Sequence, residues 1–205
     1  MERLTFVLRL EGDREGGIAA VRALNGAFEA ACGAAHVENF SIWHMEQYLF
    51  GYGERSGGDA HCFDAVFAQL PAEVKLVCAP GSMRLMYHDI GVVRADKGLI
   101  RHRVFATKLK PGCEEEYKRR HDGLIAQRGE TVKDGPESNF TIWYGDGHIF
   151  GYCELVRAYD AMEPTPEQKA ATVAWETRQL EIMDWLTDDV DWLTGEKHAP
   201  VERVI

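Results

Sequence analysis

The sequence has no long apolar run. Nothing in it approaches the roughly 18 consecutive residues that a membrane-spanning helix requires, and its first residues, Met1-Glu2-Arg3-Leu4-Thr5-Phe6, hold no apolar signal core. The expected location is the cytoplasm. Bases are also scarce: 23 lysines and arginines face 33 acids, a formal charge of −10, whereas a chain that neutralises phosphate backbones needs the opposite balance. Neither a nucleic acid nor a membrane is an expected partner. The five cysteines, Cys32, Cys62, Cys78, Cys113 and Cys153, are odd in number and lack C-x-x-C spacing, which fits neither a disulfide framework nor a zinc site. They read as buried or incidental thiols. His44, His61, His88 and Asp89 lack ligand spacing, so no metal is expected. What is present is 45% hydrophobic and 27% charged residues over 205 positions, the composition of a globular protein with room for a core.

The chain also says one thing twice. Asn39-Phe40-Ser41-Ile42-Trp43 returns as Asn139-Phe140-Thr141-Ile142-Trp143, and Phe50-Gly51-Tyr52 with Glu54 returns as Phe150-Gly151-Tyr152 with Glu154, in the same register. Such a repeat implies two copies of one unit, each of ordinary domain size, which we place at 1–100 and 101–205. In the second copy, Val104 to Leu109 is a β-branched and apolar run that stops at Pro111-Gly112 and reads as a strand. Acids at 114–116 followed by bases at 118–120 suit a helix dipole and predict a helix over 113–129. A loop follows at 133–138. Two aromatic strands, 140–144 and 148–155, then meet through Gly145-Asp146-Gly147, residues that tolerate positive φ. Pro164 and Pro166 open a second helix expected to reach about Leu186, with Trp175, Gln179 and Met183 on one face. Val201 to Ile205 is the expected closing strand.

The resulting order, β-α-β-β-α-β, is the ferredoxin-like split unit. The first copy follows it with a strand at 4–10, a helix at 15–32, strands at 38–45 and 47–54, a helical region from about 59 and a last strand somewhere in 90–102. A unit of this kind leaves one apolar sheet face open, so the expected fold class is α+β: tandem ferredoxin-like repeats packed as an intramolecular dimeric α+β barrel. Trp43 and Trp143, matched in both copies, read as shared core.

Tyr117 and His121 are four residues apart and leave one helix face together. An imidazole of ordinary pKa moves protons in either direction near neutrality, and a phenol can donate, accept or orient, so the two form a potential acid–base pair. The plainer reading makes Tyr117 half-buried core and His121 a satisfied histidine. In the first copy, Ile18 and Arg22 stand at the corresponding positions, which favours a site in the second half.

Glu116-Tyr117-x-Arg119-Arg120-His121, after a strand and a Pro-Gly turn, resembles the E-Y-x-R-R-H segment of the L-rhamnose mutarotase family. The strand Asn139-Phe140-Thr141-Ile142-Trp143 and the hairpin to Glu154 follow at similar distances. Members of that family are usually single units that dimerise, so this chain resembles a fused dimer. The resemblance implies an isomerase that interconverts the α and β anomers of a pyranose such as L-rhamnose. It implies His121 and Tyr117 as catalytic residues and no metal or organic cofactor. Arg120 and Asn139, in the matched segments, are sugar-binding candidates, as is Trp175, which stands two turns before the position of the family's aromatic pair in the second helix and replaces it as a stacking ring. The implied partner is a small sugar, and further homo-oligomerisation stays open. Two rivals remain at this point: a cofactor-light monooxygenase of the same barrel architecture, which oxygen or haem dependence would reveal, and a non-catalytic small-molecule binding module.

Overall fold

Strand β1 (Glu2–Leu10) shows how the aromatic repeat shapes the backbone. Phe6 lies across strand β3 (Tyr48–Arg55) at Gly51, where an added Cβ would sit 2.1 Å from the phenyl ring. Only glycine fits under that ring. The computed structural model describes residues 1–58, 61–89, 91, 96–129, 137–156, 165–187 and 201–205, and the chain divides into two units, Met1–Met83 with Val201–Ile205, and Arg84–Pro200. Among the described residues the architecture is α+β, with two antiparallel sheets of five strands and five α-helices.

The first unit contains β1, α1 (Arg14–Ala23), α2 (Asn25–Ala35), β2 (Val37–Met45), β3, the short α3 (Asp64–Phe67) and β4 (Val74–Cys78). The single helix expected over 15–32 is two helices. Asp13 caps the first through the Gly16 amide at 3.1 Å, and the break falls at Leu24, just before Asn25 and Gly26, both weak helix formers. Among the described residues, the helical region expected from 59 is only the single turn of α3, and the closing strand is β4 at 74–78 rather than one within 90–102. Pro71 comes just before that strand, and Val74-Lys75-Leu76-Val77 supplies two β-branched valines and a leucine to it. Residues 90 and 92–95 lie outside the described residues. Phe6, Phe28, Phe40, Phe63 and Phe67 pack together, some rings stacked and others edge to face, at 5.0 to 6.3 Å between centroids in the core of this unit.

This sheet runs β10-β2-β3-β1-β4, where β10 is Glu202–Arg203. The C-terminal strand therefore pairs with β2, through Glu202 opposite His44 and Arg203 opposite Trp43. It does not close the second unit, as the sequence order suggests.

The second unit contains β5 (Arg84–Asp89), β6 (Ile100–Leu109), α4 (Glu114–Arg128), β7 (Glu137–Gly145), β8 (His148–Val156), α5 (Pro166–Gln179) and β9 (Met183–Thr187), with sheet order β5-β7-β8-β6-β9. The β7–β8 hairpin turns at Asp146 and Gly147, both at positive φ, as expected. Gly151 lies beneath Phe105 as Gly51 lies beneath Phe6. The loop read at 133–138 falls mostly outside the described residues, with β7 beginning at Glu137. Helix α5 begins on a capping box, Thr165 with Gln168, and stops seven residues earlier than expected, at Gln179. Met183 is therefore in a strand, paired with Leu109. Lys110 fixes this ending: its amide donates to the Ile182 carbonyl at 2.9 Å and its ammonium to the Leu180 carbonyl at 2.8 Å. Trp43 and Trp143 are half-buried, not central to a core.

Candidate active site

Helix α4 is short of apolar residues, and three side chains, Tyr117, Arg120 and His121, are its buried ones. Glu114, Glu115 and Glu116 crowd its first turn, where the helix dipole favours them. The i, i+4 spacing stacks the rings of Tyr117 and His121 at 4.2 Å with 26° between planes. The His121 Nδ1–H donates to the Tyr117 carbonyl at 3.0 Å. Because a carbonyl only accepts, Nδ1 carries the proton and the neutral ring keeps its lone pair on Nε2. Two more aromatic rings meet this imidazole edge to face, Tyr87 of β5 at 5.4 Å and Trp175 of α5 at 5.2 Å.

These four rings line one cavity of about 130 Å³. That is the size class that accepts a single six-membered ring. Phe105, Phe140, Ile142 and Met183 give it apolar wall, while Arg103, Thr107, Glu176 and Gln179 give it polar atoms. An aromatic and aliphatic wall suits the C–H face of a sugar, and scattered polar groups suit its hydroxyls.

Burial dominates the electrostatics. His121 is 5% exposed, and desolvation pushes its pKa down to about 4, against the opposing pull of the Tyr117 carbonyl and the Asp122 charge. It is neutral at physiological pH. The Tyr117 hydroxyl is pushed up by burial and by the negative charge of Glu176, so it stays protonated. Burial also raises Tyr87, to about 12, helped by the neighbouring Asp89 carboxylate. Asp89 in turn is ion-paired with Arg128, near the end of α4.

Three of the five residues named from the sequence, His121, Tyr117 and Trp175, thus meet at this cavity. Arg120 and Asn139 are not among its lining residues. Arg120 is buried between the helices: its guanidinium donates to Glu116 at 2.7 Å, to Glu181 at 2.8 Å and to the Arg178 carbonyl. Asn139, 0% exposed and at φ 52°, sits where the β7–β8 register shifts and donates to Glu154 at 3.0 Å. Sequence reading missed Tyr87, which arrives on β5, far from α4 along the chain, and carries no local signal. Gln179 was legible in part, since its spacing from Trp175 placed both on one helix face. Among the described residues, no three His, Cys, Asp or Glu side chains gather as metal ligands.

A family model described as L-rhamnose mutarotase matches residues 102–204, about half of the chain. No curated protein matches it. Two solved structures of the glucooligosaccharide oxidase from Acremonium strictum are similar at 11% identity, with TM-scores of 0.24 and 0.23. Each alignment covers 80% of this chain, which spans 41% and 40% of those proteins. So slight a likeness carries no argument about fold or chemistry.

Proposed function

We propose a reaction for this chain, which belongs to the L-rhamnose mutarotase family: it interconverts the α and β anomers of a pyranose such as L-rhamnose or a close relative, by acid–base catalysis in the cavity of the second unit. The observation that carries this reading is the neutral, ring-enclosed His121, with Nδ1 committed to the Tyr117 carbonyl. Ring opening needs one proton removed from the anomeric hydroxyl O1 and one placed on the ring oxygen O5 as the C1–O5 bond breaks. Nε2 of His121 takes the O1 proton, and the resulting imidazolium returns it to O5, giving the open-chain aldehyde. O1 and O5 share the carbon C1, so one imidazole reaches both. Tyr117, kept protonated, donates a hydrogen bond to the oxygen that carries developing charge. Rotation about C1–C2 presents the other carbonyl face, and the same steps in reverse close the ring to the opposite anomer.

Trp175 offers a face for sugar stacking in this scheme. Arg120 and Asn139 act as positioning residues: Arg120 ties α4 to the end of α5, and Asn139 holds the β7–β8 bulge. We read the chain as two ferredoxin-like copies, 1–100 and 101–205, with the site in the second and the first as structural partner. Matched roles support this: Asn39 and Asn139 both adopt positive φ, and both donate to a buried glutamate, Glu54 or Glu154, that also accepts from Tyr52 or Tyr152.

Polarimetry provides the test. Freshly dissolved α-L-rhamnose, and a panel of related aldoses, should reach their equilibrium rotation faster with the protein than in buffer. An unchanged rate for every sugar would sink the proposal.

A further inference from the structure

The cavity beside His121 contains polar groups that the proton transfer does not use. Thr107, on β6, is 0% exposed, and Gln179, the last residue of α5, is 2% exposed. Both line the cavity. Among the described residues, neither the Thr107 hydroxyl nor either side-chain atom of the Gln179 amide has a hydrogen-bond partner. Buried polar atoms without partners weaken a fold, and isosteric apolar residues would have filled the same space. Three such atoms on the lining of one ring-sized cavity point to a ligand that satisfies them.

We propose that Gln179 and Thr107 bind one hydroxyl of the substrate ring other than O1, and so determine which sugar the site accepts. This rests on the anomer-exchange reading of the same cavity. A primary amide both donates and accepts, as a sugar hydroxyl does, so a hydroxyl pairs with Oε1 and Nε2 in turn and the Thr107 oxygen completes its shell. A hydrogen or methyl at that position leaves all three protein atoms unmatched. Sites built to hydrogen-bond a hydroxyl reject analogues lacking it far more strongly than apolar pockets reject a missing methylene. The chain should therefore discriminate sharply against a sugar deoxygenated at one particular carbon.

The experiment measures kcat/KM for anomer exchange on L-mannose and its monodeoxy derivatives, L-rhamnose being the 6-deoxy member. It compares wild type with Gln179→Met and Thr107→Val, which preserve bulk. Wild type should lose roughly 100-fold or more on one deoxy sugar, and Gln179→Met should shrink that loss to about threefold or less. Thr107→Val should reduce it in part. Both variants should also melt above wild type without sugar, because an unmatched polar group has gone. Equal treatment of all deoxy sugars by wild type, or the same penalty in Gln179→Met, overturns the proposal, as does a lowered melting temperature in both variants. Should no sugar exchange at all, the mutarotase reading fails by itself. The Gln179 side-chain amide resonances, identified by their loss in Gln179→Met, then decide: movement on adding L-mannose supports the polar pair as a sugar site, and immobility overturns it.

Discussion

At the scale of single residues, the environment of His121 makes two pH predictions. Its pKa lies near 4 in the folded protein because burial disfavours the charged ring, so kcat/KM for anomer exchange should stay level from pH 8 to about 5 and fall only below that. A bend near 6.5 would mean a solvated histidine. Stability follows the same group with a definite sign. Between pH 6.5 and about 4 the unfolded chain binds the proton and the folded one does not, so folding stability declines as pH drops through that window, by about 3 kcal/mol from this residue. Urea unfolding at pH 7 and pH 4.5 should show this slope in wild type and a smaller one in His121→Phe. Tyr117→Phe should keep the fold and lower kcat by roughly 10²-fold or more, as loss of a positioned hydrogen-bond donor to developing charge does; an unchanged kcat would reduce Tyr117 to packing. The four-residue spacing of this pair was legible because a helix repeats by its own geometry. Tyr87 and Thr107 were not, because long-range strand pairing carries them to the site and no local pattern encodes it.

At the scale of elements, α5 shows where sequence pattern misleads. Trp175, Gln179 and Met183 fit a helical period, yet Met183-Asp184-Trp185 also fits a strand. Pairing with β6 decides between them, and Lys110 anchors the turn. Arg120 holds α4 against this same turn through Glu181 and the Arg178 carbonyl. Glu116 is one-third and Glu181 two-thirds exposed, which weakens both ion pairs, so Arg120→Ala, which also loses the bond to the Arg178 carbonyl, should cost about 2 kcal/mol, seen as a fall in melting temperature of roughly 4–8 °C. It should also lower kcat, since His121 is the next residue along the helix. Gly151 sits where a Cβ would enter the Phe105 ring, so Gly151→Ala should destabilise by about 1–3 kcal/mol. Adding Phe105→Leu should restore part of that loss; strictly additive effects would show that the ring does not impose the glycine.

At the scale of the whole molecule, the matched sequence segments stand out because their residues are each held by a specific contact or backbone angle. Asn39 and Asn139 sit at positive φ, Glu54 and Glu154 accept hydrogen bonds from them, and Gly51 and Gly151 lie beneath phenyl rings. The closing strands could not be read. β4 was expected past residue 90, and the C-terminal segment was expected to close the second unit, where β9 stands instead. Pairing at sheet edges depends on backbone hydrogen bonds that any residue supplies, so composition leaves no trace of it. The Ile42 amide donates to the Ile205 carbonyl at 3.2 Å. Removal of residues 201–205 should therefore speed hydrogen exchange at Ile42, and leave the amides of β7 and β8 protected.

The central claim is that His121 exchanges sugar anomers, and saturation-transfer NMR at neutral pH tests it most directly. Irradiating the anomeric proton of one form of L-rhamnose, or of a related aldose, should transfer saturation to the other form with wild type. With His121→Ala, folded by its amide spectrum, it should fall to the buffer rate. Equal transfer by the two proteins, or none by either with any aldose, would contradict the account.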